Sequence, residues 1–329
     1  MKNNRETSAW LIPIVGVGVG LCIVDRMIRR KMQQNQKYEI PAEIRQSPFA
    51  REAQVAVTLA LKAGRNMFSY CDEKGTEAEL HHNLGISEKG QPEDFCTIID
   101  VENERLVMQG LLEAFPTHKL IGEETTGTGE IPPLSKEHPT WIIDPIDGTT
   151  NFVSGLPLTC VSIGLCVEGK PVLGVVYAPM TDELYIAVSG HGAYRNGVRL
   201  RKQQIVKRMV DAVVGFEFGY ARGKEKSNKM LAALGRIMEN GCRTTRSLGS
   251  GVLDLVYVAT GRLDVIYSGI TTEGWKPWDY CAGVVIARET GCVVEAIDQT
   301  KGADFDLYSK SIICAGSEAL LQETRVLIS

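Results

Sequence analysis

The sequence has few of the patterns on which zinc sites, disulfide frameworks and nucleic-acid interfaces depend. Its five histidines form no HExxH motif, and its nine cysteines are odd in number, scattered and without a CxxC pair. The sequence therefore does not indicate a zinc enzyme or a Cys/His nucleophile pair. The pattern of cysteines indicates reduced, mostly buried thiols. The net charge is −4, and basic residues cluster only briefly near the N-terminus, so no nucleic acid is expected as a partner.

Charge is also absent from residues 7–24 (TSAWLIPIVGVGVGLCIV), which are followed by Arg26, Arg29, Arg30 and Lys31. A helix of this length would span about 27 Å at about 1.5 Å per residue, near the lower limit for crossing a bilayer. The basic flank predicts a membrane anchor with the main domain on the cytosolic side. A cleaved targeting segment or a flexible or packed apolar tail are the alternatives, and the protein would then be cytoplasmic or organellar and soluble.

The composition beyond this run is that of an ordinary globular protein. We expect an N-terminal segment and linker at residues 1–47 and one catalytic domain at residues 48–329. Apolar residues at helical spacing predict helices at 52–70, 100–115, 227–240, 249–260 and 278–290. Apolar or alternating runs predict strands at 119–121, 159–167, 171–178, 183–189, 213–218 and 263–267. Asp100 is predicted to be the N-cap of the helix at 100–115. The order of these helices and strands predicts an α/β fold, a layered αβαβα sandwich with two sheets.

The segment WIIDPIDGTTNF, residues 141–152, places Asp144 and Asp147 where an apolar run ends. Ions of the magnesium type prefer oxygen ligands, and two of them about 4 Å apart can clamp the oxygens of a phosphoryl transfer. Pro145 restricts the backbone between the carboxylates, and the Ile146 carbonyl can act as a neutral ligand. An aspartate pair after a strand is equally typical of an ordinary turn with a helix cap.

Neighbouring residues and two further carboxylates favour a metal site over a simple turn. Gly148 and Thr149 begin a helix or tight turn whose free N–H groups can face a phosphate, and the Thr149 hydroxyl can hold a water. Glu123 follows a short predicted strand, and Asp279 opens a predicted helix. Each carboxylate alone is usually a solvated group or a cap, but their joint occurrence at element ends predicts a metal site.

From about Glu52 to Ser317 the sequence resembles the inositol monophosphatase family of lithium-sensitive, magnesium-dependent phosphatases. Three motifs carry the resemblance, at residues 122–124 (GEE), 141–152 and 278–291 (WDYCAGVVIARETG). A fourth pattern, KxxxxDxxTxxD, is similar to the N-terminal segment of the family and covers Lys89, Asp94, Thr97 and Asp100. The resemblance implies that the last three residues support the metal centre.

The resemblance also implies a Mg²⁺ centre with named ligands. Glu123 would bind the first ion, and Asp144 would bridge the first and second. The Ile146 carbonyl would complete the first site, while Asp147 and Asp279 would complete the second. A third, weaker ion would share Glu123.

The resemblance further implies that a metal-activated water attacks the phosphorus in line. Glu123 and Thr149 would orient this water, with Thr97 and Asp100 acting behind them. Gly148 and Thr149 would donate N–H groups to the phosphate.

Substrate contacts are implied for Asp147 and for the turn formed by Gly249, Ser250 and Gly251, which resembles the family's inositol-binding turn. Relatives place a glutamate seven residues before the position of Asp279, where this chain has Thr272. The neighbouring Glu273 can serve instead.

The function implied by the resemblance is Mg²⁺-dependent hydrolysis of a small phosphomonoester, with myo-inositol monophosphate as the leading candidate. A histidinol-phosphate phosphatase, or a phosphatase of another small sugar or polyol phosphate, is the alternative within the enzyme class. A catalytically silent, membrane-tethered binding protein is the alternative outside it. Homodimers are usual in the family, so a homodimer is expected.

Overall fold

The computed structural model describes most of the chain: residues 38–72, 85–88, 95–201, 208–272, 274–298 and 305–329. Residues 7–24 lie outside this part, as do Lys89, Asp94 and Glu273. Among the described residues, no helix is both long and apolar enough to cross a membrane. The membrane anchor therefore stays a prediction without support from the structure.

The chain divides into two units, Met1–Glu39 and Ile40–Ser329, and every element described below lies in the second. The predicted boundary at residue 48 stays a prediction. The helices are α1 Ala42–Arg45, α2 Ala50–Asp72, α3 Ile98–Ala114, α4 Glu123–Thr126, α5 Thr149–Val153, α6 Lys224–Asn240, α7 Gly251–Ala259, α8 Pro277–Glu289 and α9 Glu318–Ile328.

The strands belong to one short hairpin and two larger sheets. They are β1 Ser87–Glu88, β2 Phe95–Cys96, β3 Lys119–Gly122, β4 Thr140–Asp147, β5 Cys160–Val167, β6 Lys170–Ala178, β7 Glu183–Val188, β8 Gly192–Arg195, β9 Val198–Arg199, β10 Val213–Glu217, β11 Thr244–Arg246, β12 Val265–Ser268, β13 Val293–Glu295 and β14 Ile312–Ala315.

The large sheet contains seven strands in the order β3-β4-β5-β6-β7-β8-β9. Its β3–β4 pair is parallel and its remaining pairs are antiparallel. The smaller sheet has the order β11-β10-β12-β14-β13, with β10 parallel to both of its neighbours and β14 antiparallel to both of its own.

Side chains of the smaller sheet alternate between two apolar cores, as the two-residue period of a strand requires. Ile266 and Cys314 pack with α7 and α8 against the large sheet, whereas Val265 and Ile313 pack with α6 and α9. Helices α2 and α3 pack against the large sheet as well. Both sheets thus lie between helical layers, and the predicted αβαβα sandwich is confirmed.

The central helix α8 lies close to the large sheet because two strands carry glycine beneath it. A β-carbon on Gly174 would lie 2.4 Å from the Ala282 carbonyl oxygen, and one on Gly164 would lie 2.3 Å from Cys281 Sγ. No side chain fits at such distances, so glycine is required by close approach. This contact brings the first turn of α8 towards the end of β4.

Helix α3 begins earlier than the sequence predicts, and its cap is a different residue. Thr97 is the N-cap, and Asp100 occupies the third helical position. The Thr97 N–H donates to Asp100 Oδ2 at 2.8 Å, and the Asp100 N–H donates to Thr97 Oγ1 at 3.4 Å. The prediction of Asp100 as the cap was wrong, because this carboxylate has the reciprocal role in a capping box.

Candidate active site

Strand β4 ends in a β-bulge that directs two carboxylates to the same side. Asp144 pairs with Ser162 and Asp147 pairs with Cys160 on β5, so β4 carries one extra residue between the two pairs. Residues three apart in a regular strand face opposite sides of the sheet, and the extra residue reverses the second one. Pro145 is tolerated in the bulge because the ladder does not need its missing N–H.

Asp279 joins these two carboxylates from the first turn of α8. One carboxylate oxygen from each of Asp144, Asp147 and Asp279 lies within 4.8 Å of the other two. Burial, together with the charges of Glu123 and Asp147, raises the pKa of Asp144 well above its usual range. Burial and the charge of Asp147 raise the pKa of Asp279 in the same way. The cluster therefore resists holding several negative charges on its own.

Asp147 is held by the start of α7, more than a hundred residues later in the chain. The Ser250 hydroxyl donates to Oδ2, the Gly251 N–H donates to Oδ1 at 3.2 Å, and the Val252 N–H donates to Oδ2 at 3.0 Å. Burial raises the pKa of Asp147 to about 6, although the bonds from Ser250 and Val252 lower it. Ser250 and Gly251 thus fix Asp147, and their predicted contact with a substrate stays a prediction.

A hard divalent cation fits this cluster. Buried carboxylates of like charge disfavour each other's ionised forms, and a bound cation removes that penalty. Asp144, Asp147 and Asp279 offer only oxygen atoms, which are the ligands that magnesium-type ions prefer. The group can therefore bind a metal ion.

Thr149 connects this cluster to α3. Its hydroxyl oxygen lies 3.1 Å from Asp100 Oδ1 and 3.0 Å from the Ile146 carbonyl oxygen. The other oxygen of the fully buried Asp100 accepts the N–H of Thr97. Gly148 precedes Thr149 with φ 84, a left-handed conformation that glycine adopts without strain.

A cavity of about 610 Å³ collects the predicted residues from distant parts of the chain. Its lining includes Glu123, Asp144, Ile146, Asp147, Gly148, Thr149, Gly249, Ser250, Gly251 and Asp279. Thr97 and Asp100 do not line the cavity, and they lie behind Thr149. The structure therefore brings together the predicted site residues that it describes.

Asn151 is a cavity residue that the sequence analysis missed, although it stands inside the 141–152 motif. Its Nδ2 atom lies 2.9 Å from the carbonyl oxygen of Leu158 and 2.7 Å from that of Leu248. One side chain of α5 thus joins the segment before β5 to the turn before α7. The position of Asn151 within the 141–152 motif could have identified it as a residue of the site.

Glu217 and Lys276 also line the cavity and were missed. Glu217 ends β10 and accepts the N–H groups of Leu248 at 2.6 Å and Gly249 at 2.8 Å. The Lys276 N–H donates to Asp279 Oδ2 at 2.6 Å. A carboxylate at the end of a predicted strand was a usable signal for Glu217, whereas the sequence offers no such signal for Lys276.

Comparisons with known proteins agree with this geometry. Residues 50–328 match the model of the inositol monophosphatase family. Inositol monophosphatase 2 of Solanum lycopersicum is 42% identical over 67% of this chain and 80% of its own length. Nus factor SuhB of Vibrio cholerae is 36% identical over 82% of this chain and 94% of its own.

The fold also matches a solved structure. The extragenic suppressor protein SuhB of Bartonella henselae is 30% identical and superposes with a TM-score of 0.71. The match covers 84% of this chain and 97% of that one. Sequence motifs, architecture and the clustered carboxylates lead to one conclusion: the chain belongs to the inositol monophosphatase family and is a phosphatase.

Proposed function

We propose that the protein is a Mg²⁺-dependent phosphomonoesterase whose leading substrate is myo-inositol monophosphate. The observation that carries the proposal is the convergence of Asp144, Asp147 and Asp279 beside Glu123 and Thr149 in one cavity. The relatives include both an inositol monophosphatase and a Nus factor, so the substrate is a proposal of its own.

The residues that would hold the ion are Glu123, Asp144, Asp147, Asp279 and the carbonyl of Ile146. Bound Mg²⁺ would supply positive charge that offsets the charge of the phosphate and lowers the pKa of water. Loose phosphoryl transfer requires mainly positioning and charge compensation, so no histidine base is needed.

Thr149 would orient the attacking water. A hydroxyl has one proton and two acceptor lone pairs. If Thr149 donates its proton to Asp100 Oδ1, 3.1 Å away, its oxygen can accept a hydrogen bond from a water in the cavity. Thr97 holds Asp100 in position for this task. The N–H groups of Gly148 and Thr149 would bind the phosphate.

The polyol would occupy the part of the cavity formed by the turn at Gly249, Ser250 and Gly251. The Glu217 carboxylate anchors this turn by accepting the N–H groups of Leu248 and Gly249. Glu273 is proposed to accept a hydrogen bond from a hydroxyl group of the polyol. The cavity volume of about 610 Å³ lies in the range of small-molecule sites.

The activity is tested by phosphate release from inositol 1-phosphate, histidinol phosphate, fructose 1,6-bisphosphate and adenosine 3′,5′-bisphosphate, with and without Mg²⁺ and Li⁺. We expect Mg²⁺-dependent, Li⁺-inhibited turnover that is fastest with inositol 1-phosphate. Turnover led by another substrate would refute the substrate assignment and leave the metal-dependent chemistry in place. Absence of turnover with all four would contradict the proposal.

A homodimer and a membrane anchor at residues 7–24 complete the proposal. Light scattering of the purified chain tests the first, with twice the monomer mass expected. Fractionation after a high-salt wash tests the second. An anchored chain stays with the membranes, and removal of residues 1–35 releases it.

A further inference from the structure

Glu104 is a buried carboxylate of α3 that has no part in the chemistry described above. It is 3% exposed. Its Oε2 atom accepts the Glu124 N–H at 2.7 Å, and its Oε1 atom accepts the Thr125 N–H at 2.7 Å. The Thr125 hydroxyl also donates to Oε1. Both oxygens are therefore engaged with α4, the short helix that begins at Glu123.

Helix α4 depends on such support because it has only four residues, Glu123–Thr126. The first four N–H groups of any helix lack acceptors within it, and a helix of one turn is not stable alone. A carboxylate forms stronger hydrogen bonds with N–H groups than a neutral acceptor does. Glu104 thus ties the backbone of Glu124 and Thr125 to α3, and thereby sets the position of Glu123.

Gly122 gives Glu104 the space it needs to reach α4. A β-carbon on Gly122 would lie 2.5 Å from Glu104 Oε2 and 2.4 Å from Met108 Cε. The φ of Gly122 is −120, which any residue can adopt. A side chain at position 122 would therefore have to displace the Glu104 carboxylate and the end of Met108, whereas the backbone conformation itself does not call for glycine.

We propose that Glu104 is a positioning residue of the metal centre, which fixes α4 so that Glu123 meets Asp144 in the cavity. This inference rests on the proposed function, because it requires a divalent cation between those carboxylates. Glu104 itself does not line the cavity. Its loss should weaken metal binding through the displacement of Glu123.

The test measures Mn²⁺ binding to the full-length chain by electron paramagnetic resonance, without substrate. Glu104→Gln keeps the size of the side chain but turns an NH₂ group towards an N–H donor. We expect its Kd for Mn²⁺ to rise about tenfold or more, since losing an outer partner of a metal ligand typically costs about 10–100-fold. Glu102→Gln, the same change at an exposed position of α3, is the matched control and should leave the Kd within about twofold.

A second variant separates positioning from folding. Thr125→Val keeps the carboxylate and removes only one donor, so the chain should fold, and its Kd should rise about threefold, as the loss of roughly 0.7 kcal/mol implies. In activity assays, Glu104→Gln should raise the Mg²⁺ concentration for half activation, while KM at saturating Mg²⁺ stays close to that of the wild type. A general loss of stability would not produce this split.

Unchanged Mn²⁺ affinity in a folded Glu104→Gln chain would overturn the inference. If that variant does not fold, unchanged affinity in Thr125→Val would do the same. A wild-type chain that binds no Mn²⁺ would contradict the proposed function instead, and phosphate release by the wild type distinguishes that failure from the first.

Discussion

The two walls of the cavity, which the proposed function assigns to the metal and to the substrate, are built in different ways. The metal wall carries Asp144, Asp147 and Thr149 within six residues, at the bulged end of one strand. The substrate wall is assembled from separate segments, with Glu217 ending β10 and anchoring the turn at Gly249 through backbone N–H groups. The metal wall is largely local in the sequence, and the substrate wall exists only after folding.

Two residues couple the walls. Asp147 belongs to the metal wall, but its hydrogen-bond donors Ser250, Gly251 and Val252 lie 103 to 105 residues later. Asn151 extends from the same motif to the carbonyl of Leu248. The comparison therefore predicts graded effects on activity, with the largest at the metal wall and smaller ones at the coupling and at the substrate wall, and a separate effect of pH on stability.

The largest effect is expected from Asp144→Asn, which breaks the metal wall. Its activity should fall more than about a hundredfold, beyond what the loss of an outer partner of a metal ligand costs. The metal-free chain should melt at a higher temperature than the wild type, because a buried charge has been removed. Turnover and thermal unfolding in EDTA measure the two effects, with the exposed Asp298→Asn as control. Near-normal activity would exclude Asp144 as a ligand.

Asn151→Ala should uncouple the walls. The carbonyls of Leu158 and Leu248 lose their donor, at a cost of about 1–3 kcal/mol in the free energy of unfolding. KM should rise because the turn at Gly249 is no longer tied to α5. Urea unfolding and steady-state kinetics measure these changes. Loss of stability without a change in KM would show that Asn151 does not couple the walls.

Glu217→Gln should act mainly on the substrate wall, because the bonds that Ser250, Gly251 and Val252 donate to Asp147 remain. A glutamine keeps one acceptor for the N–H groups of Leu248 and Gly249 but loses the charge that strengthens both bonds. We expect KM for the best substrate to rise about fivefold with kcat within about twofold, a loss of roughly 1 kcal/mol. Mn²⁺ affinity serves as the control and should not change. A fall in kcat with constant KM would place Glu217 with the metal wall.

A separate effect is a pH dependence of stability, which arises from the carboxylates of the metal wall. The pKa of Asp147 is raised from 3.8 to about 6, and the pKa values of Asp144 and Asp279 are raised as well. The folded chain thus retains protons that the unfolded chain has lost, so the metal-free protein should lose stability as the pH rises from about 4 to about 6.

Thermal unfolding in EDTA and in Mg²⁺ measures this dependence. Mg²⁺ should raise the melting temperature more at a pH of about 7.5 than at about 5, because protons compete with the ion for the carboxylates. Asp144→Asn should reduce the difference. An equal Mg²⁺ effect at both pH values would contradict the interpretation.

The predicted architecture is confirmed, and the predicted aspartates Asp144, Asp147 and Asp279 lie together in the structure. The strands that follow residue 159 were recognised from alternating apolar residues, and the 141–152 motif identified the carboxylates of β4. The sequence analysis placed the cap of α3 wrongly, because Thr97 and Asp100 can each cap a helix and only the backbone decides between them. Strands β11, β13 and β14 were not predicted, since strands of three or four residues give little periodicity. Helix α9 was also missed, although its buried residues Leu320, Leu321, Thr324 and Ile328 stand at helical spacing.

The sequence by itself identified Asp144 and Asp147 as residues that can hold a cation. Two aspartates with a proline between them at the end of a strand are a local feature of the chain. The sequence also named Asp279, but its meeting with these aspartates depends on the tertiary structure, since it requires α8 to pack on Gly164 and Gly174. The tertiary structure also decided that Glu104 accepts the Glu124 N–H and that Ser250 donates to Asp147. Buried polar atoms need partners, and those partners can come from any part of the chain that folding brings near.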